Sequence, residues 1–166
     1  MRSLEGLEPE VEVRGDGPDA IEIVEAGRRF VAPLKTGQKT GWYFDQRDNR
    51  ALVGQLAAGQ RVLDVFSYIG GFGVTAAACG ARSVTCLDAS DTALEQAQAN
   101  ASRNNVTIDV RAGDARQSLE ALAADKARFD LVVVDPPALI KRKKDVAAGT
   151  RHYQQLNLLA MELLAP

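Results

Sequence analysis

Four points in this sequence combine residue types that could do chemistry. Ser67-Tyr68-Ile69-Gly70-Gly71 follows the apolar run Val62-Leu63-Asp64-Val65-Phe66, and Asp88 closes Ser83-Val84-Thr85-Cys86-Leu87. Asp114 comes after Thr107-Ile108-Asp109-Val110 and Gly113, and Asp135-Pro136-Pro137 closes Asp130-Leu131-Val132-Val133-Val134. A core strand has no packing use for a terminal carboxylate. Its recurrence at one edge points to a ligand, because open parallel sheets bind ligands beyond the carboxyl ends of their strands. Taken singly, Asp88 and Asp114 serve equally well as caps of the helices that follow.

Gly70, Gly71 and Gly73 let the backbone approach a ligand closely and start a helix. Asp88 lies 18 residues after Gly70, a position suited to accepting hydrogen bonds from ribose hydroxyls. Gly70-Gly71-Phe72-Gly73 lacks the Gly-x-Gly-x-x-Gly spacing that cradles a pyrophosphate, and no P-loop lysine is present. Those features favour an adenosine ligand without a phosphate, of which S-adenosylmethionine is the common one. In Asp135-Pro136-Pro137 the prolines fix φ and remove two backbone donors. The result is a rigid turn whose carbonyls are expected to face the cleft and to suit a flat base entering edge-on. The plainer reading is a proline pair that ends a strand.

These residues need a scaffold of alternating elements. Ile21-Glu22-Ile23-Val24, the turn-like Ala26-Gly27 and Phe30-Val31 predict a short hairpin. A helix is expected from about Gln46 to Ala58, with Leu52, Val53 and Leu56 inward. Strands over 62–66, 83–87, 107–110 and 130–134 alternate with helices, one of them capped at Ser90 and stopped at Asn104-Asn105. A last helix is expected over Tyr153–Leu164, with Leu156, Leu159 or Ala160, and Leu163 inward. This alternation specifies an α/β fold with right-handed βαβ units and a parallel sheet. The chain divides into an acidic tail (1–19), a hairpin and linker (20–45) and a core (46–166).

Composition narrows the function classes. Hydrophobic residues make up 46% and charged residues 25% of 166 positions, which excludes a mainly disordered chain and a fibre. No stretch approaches the roughly 18 apolar residues of a membrane span, so no membrane association is expected. Residues 1–17 lack the apolar centre of a secretory leader. Two cysteines, Cys79 and Cys86, fit a reducing cytoplasm and are expected to pack in the core. The single His152 excludes a multi-histidine metal site, and no metal is expected. A net charge of −2 excludes binding nucleic acid through bulk charge. The one basic run, Lys141-Arg142-Lys143-Lys144, is placed either to contact RNA phosphates or to stand as a solvated loop.

Lys39-Thr40-Gly41-Trp42-Tyr43-Phe44-Asp45-Gln46-Arg47-Asp48-Asn49-Arg50, the run Val62 to Phe72, Asp135-Pro136-Pro137-Ala138 and Tyr153-Gln154-Gln155-Leu156-Asn157 occur in one order. Residues 21–166 thereby resemble the S-adenosylmethionine-dependent large-subunit ribosomal-RNA cytosine carbon-5 methyltransferases, whose members carry an RNA-binding PUA domain ahead of the core. The resemblance implies a Rossmann-like class I methyltransferase fold, S-adenosylmethionine as cofactor and ribosomal RNA as partner. It places Phe66, Ser67, Tyr68, Gly70 and Gly71 at the methionine end of the cofactor and Asp88 at the ribose, with Ala89 also binding the cofactor. Asp114 and Ala115 fall at the adenine, with Asp114 accepting from its amine. Asp135 and Pro136 face the transferred methyl and the target base, while Gln46 and Arg47 close over the pocket. For Arg47 and Arg50, surface pairing with Asp45 or Asp48 is the rival reading.

The sequence departs from the family pattern in three places. Ile69 replaces a usual threonine, and Leu139 a common aromatic. The chain also stops at Leu163-Leu164-Ala165-Pro166, before the fifth strand and the Ser-Cys-Ser segment with the nucleophile. The expectation is therefore a core truncated after its fourth strand and following helix, able to bind cofactor but not to turn over. An exposed apolar edge would be left on the fourth strand, covered by a second copy in a homodimer. Two other functions stay open at this point: amino-group methylation, which also uses Asp-Pro-Pro turns, and a non-catalytic cofactor- or RNA-binding module.

Overall fold

The computed structural model describes residues 17–34, 41–140 and 142–166. The expectations for residues 1–16, for the polar loop 35–40 and for Lys141 lie outside the described residues.

The hairpin forms as expected. Strands β1 (Ala20–Glu25) and β2 (Arg28–Pro33) pair antiparallel around Ala26-Gly27, both with positive φ, as a tight two-residue turn requires. A 3-10 turn over Phe44–Gln46 leads into α1 (Arg47–Leu56). Next come β3 (Arg61–Val65), α2 (Gly71–Ala78), β4 (Ser83–Asp88) and α3 (Asp91–Arg103). The chain then runs through β5 (Asp109–Ala112), α4 (Ala115–Ala124), β6 (Leu131–Val134) and α5 (Val146–Glu162).

The four strands β3 to β6 are parallel, in the order β5-β4-β3-β6. Alternation along the strands supplies both faces of the sheet. Leu63, Val65 and Leu87 pack with Leu119 and Leu122 of α4 and Leu156 of α5 on one side. On the other, Val62, Val84 and Cys86 pack with Ala57, Ala76 of α2 and Leu94 of α3. The hairpin adds Ile23 and Phe30 to a third cluster with Trp42, Ile69, Val74 and Ala101, so Trp42 is buried between hairpin and core. At the entry to the sheet, Arg61 and Asp130 join β3 to β6 through a 2.8 Å ion pair and the 2.8 Å bond from the Asp130 N–H to the Arg61 carbonyl.

Three expectations need correction. Helix α1 buries Arg50 and Gly54, while Leu52 and Leu56 are 53% and 55% exposed. The helix packs on α2 through a small residue: a side chain at Gly54 would meet Cys79 Sγ at 2.8 Å and Thr75 at 3.3 Å. That close approach turns the two leucines outward, and Leu52 instead lines a groove along the free edge of β6. The last helix begins at Val146, seven residues before Tyr153. Its early Gly149 is a close-packing point, since a Cβ there would collide with Ile140 and the Leu139 carbonyl. Finally, β5 starts two residues later than expected, at Asp109.

Strand β6 is half-buried along its length and pairs only with β3 among the described strands. On the side away from β3, Leu164 forms a parallel bridge with Phe129.

Candidate functional site

The strand order reverses between β3 and β6, so the crevice beyond Val65 and Val134 is the switch point of the sheet. The two chain exits stay joined there, because the Asp135 N–H reaches the Val65 carbonyl at 3.4 Å. The loop after β3 is strained. Phe66, Tyr68 and Gly70 all adopt left-handed backbone, with φ of 65°, 49° and 81°. At a non-glycine residue that conformation costs roughly 1–2 kcal/mol, and it persists where the surroundings hold it.

The restraints are specific. Asp88 at the end of β4 accepts the Tyr68 N–H at 2.8 Å through one oxygen and the Ser90 N–H at 3.0 Å through the other. Ser90, not Asp88, caps α3 by accepting from Ala93. The Ser67 N–H donates to the Leu87 carbonyl, Gly70 N–H to the Ser67 carbonyl, and Gly73 N–H to the buried Asp64 carboxylate at 2.8 Å. These N–H groups are therefore committed to protein acceptors and cannot form a nest for a phosphate. A carboxylate oxygen retains a second lone pair after one such bond, so Asp88 can still accept from ribose hydroxyls. The donor-rich adenosyl group of S-adenosylmethionine, with no phosphate, fits this set of acceptors.

Over residues 10–166 the chain matches the family described as S-adenosylmethionine-dependent methyltransferases. It belongs to that family. Ribosomal RNA large subunit methyltransferase I of Pseudoalteromonas atlantica is 41% identical over the whole chain, and that of Aeromonas salmonicida 38%. The chain spans 43% of the length of each. A solved methyltransferase complexed with S-adenosylhomocysteine superposes with a TM-score of 0.80 at 26% identity, over 93% of this chain and 42% of the other. S-adenosylmethionine is the family's cofactor, and the fold is its Rossmann-like core.

Within this methyltransferase core, the residues singled out by sequence fall into two groups. Ser67 and Gly70 are buried, Phe66, Tyr68, Gly71 and Asp88 half-buried, and Ala89 exposed beside Asp88, all at one end of the sheet. Asp135 and Gln46 line one groove, together with Asn49, Leu52 and Phe72. The Gln46 amide oxygen accepts from Asn49 at 2.7 Å. Partial burial and the charge of Asp45 raise the Asp135 pKa above the ordinary carboxylate value, with Arg50 opposing. Arg47 is exposed and lies 3.9 Å from Glu25, not from Asp45 or Asp48. Arg50 is buried on Glu25, so surface pairing is excluded for it. Pro136 is half-buried.

Asp114 takes the capping role at the start of α4, accepting the Gln117 N–H at 3.0 Å, with Ala115 buried beside it. The Tyr153 hydroxyl donates to the Pro137 carbonyl at 3.5 Å and accepts the Leu139 N–H at 3.1 Å. Tyr153 thus braces the Asp-Pro-Pro loop from α5. Arg142, Lys143 and Lys144 are exposed ahead of α5. Cys86 is fully buried, and burial followed by the nearby Asp64 pushes its thiol far above its ordinary range. Cys79 accepts a hydrogen bond from Arg28 at 2.8 Å.

Three contributors carry no clear mark in the sequence. Tyr43 packs edge-on to Tyr68, centroids 6.1 Å apart, and its hydroxyl pKa is raised by burial and by neighbours that include Tyr68 and Asp135. Asp64 holds the start of α2 from within β3. Asn100 bonds to the Ile69 carbonyl from α3. The available signal for Tyr43 is its place between Trp42 and Gln46. For Asp64 it is a charge standing inside an apolar run, nine residues from its partner Gly73, and Asn100 has only its long-range partners to mark it.

Proposed function

We propose that this chain is the cofactor-binding core of an enzyme that methylates large-subunit ribosomal RNA at carbon-5 of a cytosine, in the class that carries a PUA domain, and acts in the cytoplasm. Residues 20–45 form its hairpin module and 46–166 its methyltransferase core. The observation carrying this reading is the strained Phe66–Gly70 loop, tied to Asp88 and set across the switch point from Asp135.

When bound, S-adenosylmethionine supplies an electrophilic methyl group on a sulfonium. Phe66, Ser67, Tyr68, Gly70 and Gly71 line its methionine end. Asp88 accepts from the ribose hydroxyls, Ala89 lies against the cofactor beside it, and Asp114 and Ala115 meet the adenine. Gln46 and Arg47 cover the pocket. Asp135 and Pro136 hold the target base against the methyl, so that orientation supplies much of the acceleration. Arg142, Lys143 and Lys144, with Lys141, contact RNA phosphates.

Carbon-5 of cytosine becomes nucleophilic when a thiolate adds to carbon-6. Cys86 is fully buried within β4, and Cys79 closes α2 at the end opposite Gly71, so neither is placed for that step, and the thiolate is assigned to another part of the longer protein. The test is incubation of the full-length protein with methyl-labelled cofactor and unmodified large-subunit RNA, followed by nucleoside analysis. 5-Methylcytidine is expected. A methyl on an exocyclic amine overturns the carbon-5 assignment, and no transfer to RNA overturns the reading as a whole.

A further inference from the structure

Helix α3 and its C-cap carry two asparagines one turn apart, Asn100 and Asn104, whose side chains act as a strand. The Asn100 amide accepts the Val31 N–H at 2.8 Å and donates to the Val31 carbonyl at 3.4 Å. Asn104 accepts the Arg29 N–H at 2.9 Å and donates to the Arg29 carbonyl at 2.7 Å. Arg29 and Val31 alternate along β2, so these are the outward-facing backbone groups of a strand whose other edge pairs with β1. The spacings agree: four helical residues rise about 6 Å and two strand residues about 6.8 Å. Two side-chain amides thus complete the ladder and satisfy an edge that would otherwise be left open.

Only Asn100 goes further. It is fully buried, and its amide nitrogen also donates to the Ile69 carbonyl at 3.0 Å. Ile69 lies between the left-handed Tyr68 and Gly70. Gly70 itself packs on α3, where an added Cβ would meet Ala97 at 3.0 Å. Resting on the cofactor reading of this loop, we infer that Asn100 is a positioning residue that locks the strained loop to the hairpin, so that hairpin docking and cofactor affinity are coupled through one amide. The coupling is reciprocal: whatever orders the loop orders Val31, and whatever frees β2 loosens the loop.

Asn104 provides a matched comparison, because it makes the same pair of bonds to β2 and none to the loop. S-adenosylhomocysteine binding is measured by calorimetry, with thermal unfolding alongside, on the full-length protein and its Asn100→Leu, Asn100→Asp and Asn104→Ala variants. Losing the bond to Ile69 is expected to weaken binding by about tenfold or more in either Asn100 variant, the order of one buried hydrogen bond. Asn104→Ala is expected to lower the melting temperature while changing the dissociation constant less than twofold. Unchanged affinity in a folded Asn100 variant, or equal weakening by Asn104→Ala, overturns the inference.

A second measurement needs no variant. Hydrogen exchange at the Val31 amide should slow when S-adenosylhomocysteine binds, while exchange at the Arg29 amide stays the same. No change at Val31 overturns the coupling. Failure of the unsubstituted protein to bind S-adenosylhomocysteine overturns the cofactor reading, and this inference with it.

Discussion

The guanidinium of Arg50 meets the carboxylate of Glu25 through two parallel hydrogen bonds of 2.7 Å, with both side chains buried and the Trp42 ring 4.3 Å from the guanidinium carbon. A third bond runs from Arg50 to the Tyr43 carbonyl at 3.0 Å. One arginine therefore fastens the hairpin, the Trp42-Tyr43 segment and α1 together. Trp42 and Arg50 in turn lie against Gly71, where any Cβ would approach both at 3.3 Å. The start of α2, and so the end of the Phe66–Gly70 loop, rests on this junction.

Breaking the pair from one side leaves a buried charge without a partner. Arg50→Met is expected to destabilise the protein by about 3–5 kcal/mol, as such removals do. Urea unfolding measures it, and a loss below about 1 kcal/mol, the range of an exposed pair, excludes the role assigned to Arg50. Burial would raise the Glu25 carboxyl, but the hydrogen bond and charge of Arg50 outweigh it and hold the pKa below 4.5. The pair's stabilisation is present above pH 4.5 and is lost as pH falls through the lowered folded value. Glu25→Gln should remove that part of the acid sensitivity.

Asp64 has the opposite sign. Its carboxyl is fully buried, and desolvation, with the charges of Asp135 and Asp88, pushes its pKa from 3.8 to about 7 against the opposing bond from Gly73. The unfolded chain releases this proton first, so Asp64 makes the protein less stable as pH rises from about 4 to 7. The gap corresponds to roughly 4 kcal/mol, at ~1.4 kcal/mol per tenfold change in proton affinity. Asp64→Asn should be more stable than the parent at about pH 8 and equal to it near pH 4. Parallel pH–stability curves for the two proteins refute this.

Asp88 joins the proposed ribose site to the loop through Tyr68. Asp88→Ala is expected to weaken S-adenosylhomocysteine binding by about 10- to 100-fold, the range for losing bonds to a charged acceptor. Calorimetry reads it, and a change under about threefold removes Asp88 from the site.

Gly73 begins the packing of α2 on β3 and β4. A Cβ there would collide with Cys86 Sγ and come within 3.2 Å of Asp64 Oδ2 and of Val84. Gly73→Ala should cost about 1–3 kcal/mol by overpacking. Unaltered thermal unfolding shows that the strand below has room to move.

The basic run is tested by salt. Lys143→Glu with Lys144→Glu should weaken RNA binding and flatten its dependence on salt concentration, by about one in slope for each phosphate no longer neutralised. Cofactor affinity should be unaffected. An unchanged salt slope identifies the run as a solvated loop.

What the sequence determined by itself was local in character. The apolar runs and their spacing specified the order of strands and helices, because period-2 and period-3.6 patterns are set by near neighbours. The glycine loop, Asp88 and Asp135 could be placed at one rim because a parallel βαβ sheet puts every strand's carboxyl end on the same side. Tertiary structure decided which groups serve that rim and how. Helix α1 turns Arg50 and Gly54 inward and Leu52 outward because Glu25 and Cys79 lie beyond that face, and no local pattern records them. Asn100 reads as an ordinary helix residue and Asn104 only as a helix stop, since their partners in β2 are 69 and 75 positions away. A buried amide and a buried ion pair are selected by the geometry of distant backbone groups, which exists only once the chain has closed around them.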